Sequence, residues 1–265
     1  MQDISEPGKP GYLFVVGCAR SGTTALGRFL AQHRQVVLGV ERYIHRTRPK
    51  AFSLSPDLFE YERLSRIEPG DTFYKSTDFA PETFVDLETR LPQARYVGDK
   101  IPGLYSAFPQ LFKAFGPEMR VVMIFRNVFD VAASWEARRQ DADDVDWNRN
   151  VTQAVSQWNA ALRAYASSAY KNQIIPVLYE DIFSNPAALT GLLEQLGLDA
   201  DKGDARRAQT VVTKAATLEA GRTRNLGQAD LMEIMLKANF APWRALVSQL
   251  GKLDHLTARQ TGSAA

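Results

Sequence analysis

At 265 residues, with 45% hydrophobic and 23% charged side chains, the chain is long enough to bury a substantial core and has the make-up of an ordinary globular protein. A formal net charge of +2 is too small to hold nucleic acid by bulk electrostatics, so any anion must be recognised locally. A lone cysteine excludes an intrachain disulfide framework, the first ten residues lack an apolar signal core and no run is long enough to span a bilayer, so the expectation is a cytoplasmic protein with no membrane anchor.

In chain order, Tyr12–His33 reads as a buried strand, a tight glycine-containing turn and an amphipathic helix. Gly17 and Gly22 bracket the turn and let backbone approach an oxyanion, while the helix behind it aims unpaired N–H groups and its positive dipole end at that ion. The spacing is that of the nucleoside-triphosphate loop G-x-x-x-x-G-K-[ST], with Thr23 in place of the lysine and Thr24 after it. Loss of the lysine that meets the β- and γ-phosphates argues against ordinary ATP hydrolysis or kinase chemistry, and Arg20 now supplies the fixed positive charge. Cys18 lies inside the loop and reads as a small, fitting residue rather than a reactive thiol.

Val36-Val37-Leu38 is a second strand, which delivers Glu41, Arg42 and Tyr43 to the sheet's edge, where catalytic groups of open α/β sheets collect. Residues 43–94 form a helical cap on the acceptor side; the aromatics within 43–90 are either core or the wall of an acceptor pocket. A third strand, 95–102, ends in the polar turn Gly98-Asp99-Lys100 and leads to a helix over 103–115. Residues 120–126 read as the clearest buried strand, running continuously apolar from Val121 to Phe125 up to Arg126, as a parallel strand covered on both faces does, and the helix 128–139 carries Ser134 about two turns along. An acidic patch at 141–146 precedes a helical pattern at 147–170 and reads as a solvated loop. A fifth strand, 174–179, is followed by a helix opened by Asn185-Pro186, then by helices over about 201–217 and 228–250. Between those two lies a basic loop, 221–227, with Arg222 and Arg224. No Gly/Ser/Pro-rich linker divides the chain, so 1–265 is expected to be one domain with frayed ends at 1–10 and 257–265.

Arg20-Ser21-Gly22-Thr23-Thr24 after the first strand and Arg126-Asn127-(x)6-Ser134 after a later one resemble the two donor-binding motifs of sulfotransferases that use 3′-phosphoadenosine 5′-phosphosulfate. Val128 stands where the second motif commonly has proline. The resemblance implies a three-layer P-loop NTPase-like α/β fold with a central parallel sheet of about five strands flanked by helices. It also implies that Arg20, Ser21, Gly22, Thr23 and Thr24 hold the 5′-phosphosulfate, and that Arg126 and Ser134 hold the 3′-phosphate. The stretches 12–43, 96–102, 120–135 and 174–182 are similar to the tyrosylprotein branch and related bacterial enzymes. On that likeness Glu41 is the general base, Lys100 meets the bridging oxygen, Tyr179 reaches the nucleotide and Arg222 closes over it. His45 is the rival base. The expected activity is transfer of a sulfuryl group to a hydroxyl on a small molecule, sugar or tyrosyl acceptor, with adenosine 3′,5′-bisphosphate as product. No nucleic-acid partner is expected, nor a metal, since no His/Cys cluster has ligand spacing. The alternatives are a nucleotide or small-molecule kinase on the same scaffold, or a nucleotide-binding interaction protein without chemistry.

Overall fold

The structure, a computed structural model, describes residues 9–72, 87–141, 147–220 and 226–251. Five strands, β1 (Gly11–Gly17), β2 (Val36–Val40), β3 (Tyr96–Lys100), β4 (Met119–Phe125) and β5 (Ile174–Leu178), pair in the order β2-β3-β1-β4-β5, every pair parallel. Their near-continuous apolar sequences follow from coverage on both faces, since a parallel sheet needs crossovers and the helices of those crossovers bury it.

On one face lie α1 (Thr23–Ala31) and, later in the chain, α5 (Pro186–Gln195) and α6 (Asp204–Ala220), packed on Leu13, Val15, Leu38, Val122 and Ile124. On the other lie α2 (Phe108–Phe115), α3 (Val128–Arg139), α4 (Val151–Ala166), α7 (Gln228–Lys237) and α8 (Phe240–Gln249), over Phe14, Val16, Val97, Val121 and Met123. Because α1 and α2 leave the sheet on opposite faces, a crevice opens at the carboxyl ends of the strands around β1, where open α/β sheets bind ligands.

Several boundaries differ from the sequence expectation, among them the helix read at 103–115, which is a 3-10 helix over Pro102–Ala107 followed by α2. The polar turn read at Gly98-Asp99-Lys100 is the end of β3 itself, with Asp99 and Lys100 buried at 0% and 1% exposure beneath the neighbouring turn and α1. The pattern at 147–170 shortens to α4, because Asn150 ends the preceding extended backbone and caps the helix, its side chain accepting from the Gln153 N–H at 3.1 Å. The helix read at 228–250 is two helices, since Pro242 in a continuous helix would clash with the carbonyl of Ala238, and Asn239 starts α8 instead.

Over 43–64 the cap consists of single helical turns. Two of its aromatics are core: Phe59 stands edge-on to Tyr43 and Phe14 with ring centroids 5.4 and 5.7 Å away, and the Tyr43 hydroxyl donates to the Leu58 carbonyl at 2.7 Å. Phe73, Tyr74, Phe79 and Phe84 lie outside the described residues. So do 142–146 of the acidic patch and both expected frayed ends apart from residues 9 and 10. None of the helices among the described residues is long and apolar enough to cross a membrane.

Candidate active site

The loop after β1 is bent by backbone that few side chains tolerate. A Cβ on Gly17 would lie 2.4 Å from the Ile124 carbonyl oxygen, so the strand end can approach β4 only as glycine. Arg20 and Gly22 both have left-handed backbone, φ 72 and 90, and Gly22 caps α1 without a side-chain hydrogen bond. Left-handed residues at a helix start curl successive N–H groups into a concave anion nest. The Ser21 hydroxyl is buried with no hydrogen-bond partner, and the Trp135 indole on α3 donates to the Ala19 carbonyl at 3.0 Å, which ties the loop to the other layer. Cys18 is buried in the same loop, and burial pushes its thiol well above the ordinary range, so it packs rather than reacts.

At the β2–β3 side of the crevice, Lys100 Nζ donates to Thr24 Oγ1 at 3.1 Å and to Glu41 Oε1 at 2.5 Å. The aliphatic stem of Lys100 fills the space left by Gly27 of α1, where an added Cβ would lie 3.0 Å from Lys100 Cγ. Glu41 projects from a tight turn after β2, with φ 59 and its N–H bonded to the Lys100 carbonyl at 2.9 Å. Its neighbour Arg42 does not compete for the carboxylate: it is buried and donates to Asp71 at 3.0 and 3.1 Å and to the Leu64 carbonyl at 3.0 Å. His45, the rival base, is exposed on the following turn.

On the β4–β5 side a second cationic group forms. Arg126, 1% exposed, stacks its guanidinium 3.8 Å from the Tyr179 ring centroid and donates through Nη1 to the Arg20 carbonyl at 3.4 Å. Trp158 on α4 fixes the Arg126 backbone by donating to its carbonyl at 2.8 Å. Arg20 Nε in turn donates to Ser134 Oγ at 3.1 Å, so residues from both sequence motifs meet. Tyr179 starts a helical turn directly after β5, and a Cβ on Gly22 would lie 2.7 Å from its ring, so the two segments close on each other. Beside this turn Glu180 accepts the Asn127 N–H at 2.8 Å, and burial raises its carboxyl above the usual range.

Two residues that sequence reasoning missed complete the picture. Glu219, in the last turn of α6, accepts from Arg126 Nη2 and, at 3.1 Å, from the Tyr179 hydroxyl. No motif marks it, because it is one acidic residue in a polar helix 93 positions from its partner. Asp99, visible only as part of a presumed turn, is wholly buried and accepts the Tyr43 N–H at 3.0 Å. Arg222 and Arg224 lie outside the described residues.

The donor set fits a nucleotide with two separated anionic groups. A backbone nest and Lys100 mark one position, Arg126 and the Arg20–Ser134 pair the other, and Ser21 Oγ and Arg126 Nε are buried polar atoms with no hydrogen-bond partner among the described residues. A three-layer α/β sheet with such a loop after β1 defines a P-loop-type nucleotide-binding protein.

Comparison with known proteins narrows the class. The model of the sulfotransferase family matches residues 10–202, most of the chain, and the protein belongs to that family. It is therefore an enzyme of sulfuryl transfer from 3′-phosphoadenosine 5′-phosphosulfate. Among solved structures, the sulfotransferase domain from the curacin biosynthetic pathway is 15% identical, with 92% of this chain and 98% of that one covered and a TM-score of 0.52, which shows a shared fold. The sulfotransferase domain of the Synechococcus PCC 7002 olefin synthase is 18% identical over 85% of this chain and 88% of that one, TM-score 0.49. Mouse sulfotransferase SULT7A1, complexed with PAP, is 13% identical over 96% and 84%, TM-score 0.43. No curated protein matches the chain at a significant level.

Proposed function

We propose that Glu41 is the general base of a sulfuryl transfer to an acceptor hydroxyl, and that Lys100 is the cation at the leaving oxygen. The observation that carries this reading is the Lys100 ammonium shared between Thr24 of the loop and the Glu41 carboxylate, 3.1 and 2.5 Å away. One group thereby spans the two ends of an in-line displacement. When bound, the donor supplies the sulfuryl group and departs as adenosine 3′,5′-bisphosphate.

Glu41 takes the proton of the acceptor oxygen at its carboxylate, which makes that oxygen a better nucleophile as its bond to sulfur forms. Lys100 donates toward the oxygen that leaves, and the nest of Gly22, Thr23 and Thr24 N–H groups, with the Ser21 hydroxyl, shares the charge that develops there. Arg20 adds its charge to the stabilisation of the departing phosphate and, bonded to Ser134, links that nest to the second anion position. Arg126 and Ser134 hold the 3′-phosphate, and Tyr179 offers its ring to the nucleotide. The acceptor hydroxyl belongs to a small molecule, a sugar or a tyrosyl group, in a single domain whose acceptor-side cap is 43–94. A cytoplasmic setting belongs to the same proposal and rests on the lone cysteine.

The test is transfer of radiolabelled sulfate by Glu41→Gln, with donor binding followed by calorimetry. A loss of about 10²- to 10⁴-fold in turnover with unchanged bisphosphate affinity is expected. Near-normal turnover removes Glu41 from the chemistry.

A further inference from the structure

Alternation along β3 sends its last two side chains to opposite faces. Lys100 turns toward α1 and packs on Gly27, whereas Asp99 turns under the 41–43 turn, where its Oδ2 accepts the Tyr43 N–H at 3.0 Å. Gly39, the residue opposite Asp99 in the β2–β3 register, leaves the room: an added Cβ there would lie 3.1 Å from Asp99 Oδ1. The turn above holds Glu41 in left-handed backbone, a conformation that a non-glycine residue keeps only when its surroundings impose it. Two bonds from consecutive residues of β3 impose it here. The Lys100 carbonyl takes the Glu41 N–H at the start of the turn, and the Asp99 carboxylate takes the Tyr43 N–H at its end.

We infer that Asp99 is a positioning residue for the base: its carboxylate pins the end of the turn so that the Glu41 side chain meets the Lys100 ammonium across the crevice. The inference rests on Glu41 acting as the base. A purely stabilising role fits Asp99 poorly, because its Oδ1 is buried without a hydrogen-bond partner and such an atom costs stability that an apolar residue would not. Burial also pushes the carboxyl up to about 7, against the pull of the Tyr43 N–H and the Lys100 ammonium, so what the turn requires of Asp99 is an acceptor of that shape more than a full charge.

That distinction sets the test. Asp99→Ala, Asp99→Ser and Asp99→Asn are made in the full chain, each alone and combined with Glu41→Gln. Turnover is read with radiolabelled donor and the best acceptor from a panel of phenol, sugar, tyrosyl-peptide and lipid hydroxyls. Affinity for adenosine 3′,5′-bisphosphate is read by calorimetry. Asp99→Ala and Asp99→Ser are expected to lower kcat about 10- to 100-fold with bisphosphate affinity within about twofold of the parent. Asp99→Asn, which keeps an acceptor oxygen, should recover most of the rate. In the Glu41→Gln background none of the three should cost anything further, because the side chain they position is no longer a base. Equal losses for all three with bisphosphate affinity falling in parallel would overturn the proposal, as would an undiminished cost in the Glu41→Gln background. Where Asp99→Ala does not fold, Asp99→Asn and Asp99→Ser carry the same cycle. Normal turnover by Glu41→Gln alone defeats the base assignment, whereas its loss beside an unaffected Asp99→Ser defeats only the role of Asp99.

Discussion

Two buried cations face carboxylates at the carboxyl edge of the sheet, and the carboxylates are held in opposite ways. Glu41 meets Lys100 from a three-residue turn clamped by backbone bonds to β3, and its side chain is 13% exposed. Glu219 meets Arg126 from the last turn of α6, 29% exposed, on a helix whose buried residues are Asp204 and Ala208 near its other end. A carboxylate in a last helical turn also opposes the helix dipole, and no basic residue in that turn offsets it. A group on a short turn clamped to the sheet can serve chemistry, whereas one at the half-exposed end of a helix whose core-packed residues lie at 204–215 can step aside. The difference assigns the first carboxylate to the reaction. The second occupies the place on Arg126 that the 3′-phosphate of the donor takes in the proposed function, and it acts as a stand-in for that anion.

The sharpest contrast comes from removing each carboxylate. Loss of Glu41 is expected to cost the most, in turnover, as stated above, with donor affinity intact. Removal of the cation on the other side comes next. Arg126→Ala should weaken adenosine 3′,5′-bisphosphate about 30-fold or more in a calorimetric titration, since truncating one member of a buried charge pair leaves the other unpaired. Binding as tight as the parent's would place the 3′-phosphate elsewhere. Glu219→Gln should act in the opposite direction and tighten the bisphosphate by up to about tenfold, because the donor no longer has to displace a charged hydrogen bond worth roughly 1.5 kcal/mol. Weaker binding in that variant would instead make Glu219 part of the bound site, and the contrast between the two carboxylates would collapse.

The two pairs also differ in how far the sequence announced them. The strands were legible because 12–17, 121–125 and 174–178 are unbroken apolar runs, and the loop because its glycine spacing is dictated by backbone geometry. Arg20, Arg126 and Ser134 followed from motif spacing, and the structure brings them together through the Arg20–Ser134 bond and the Arg126 contact with the Arg20 carbonyl. Glu41 and Lys100 were visible as strand-end residues, although their direct contact was not, since nothing local records that β2 and β3 are neighbours. Glu219 left no trace, because a helix end 93 residues from Arg126 in sequence reaches it only through tertiary packing. Asp99 was misread for the opposite reason: Gly-Asp-Lys carries turn composition, and only burial beneath another segment makes it strand.

The smallest expected effect tests the clamp beneath Glu41 through stability rather than rate. Asp99 has its carboxyl raised from 3.8 to about 7, chiefly because burial disfavours the anion. Between these two values the folded chain keeps a proton that the unfolded chain has released. The stability this contributes is therefore fully present below the lower value and is lost as pH rises through the upper one. The ion-paired Asp71 runs the other way, with its carboxyl held low by Arg63 and Arg42 against the desolvation of burial, and it loses its contribution as pH falls. Asp71 and the remaining carboxylates are shared by the parent and Asp99→Asn, so the difference between the two chains isolates Asp99. Urea unfolding at about pH 5 and about pH 8 should show the parent losing stability relative to Asp99→Asn as pH rises, with the gap level only below 3.8 and above about 7. A gap that stays constant across the window would mean that Asp99 is already ionised when folded, and that the turn is pinned by a charge rather than by an acceptor of the right shape.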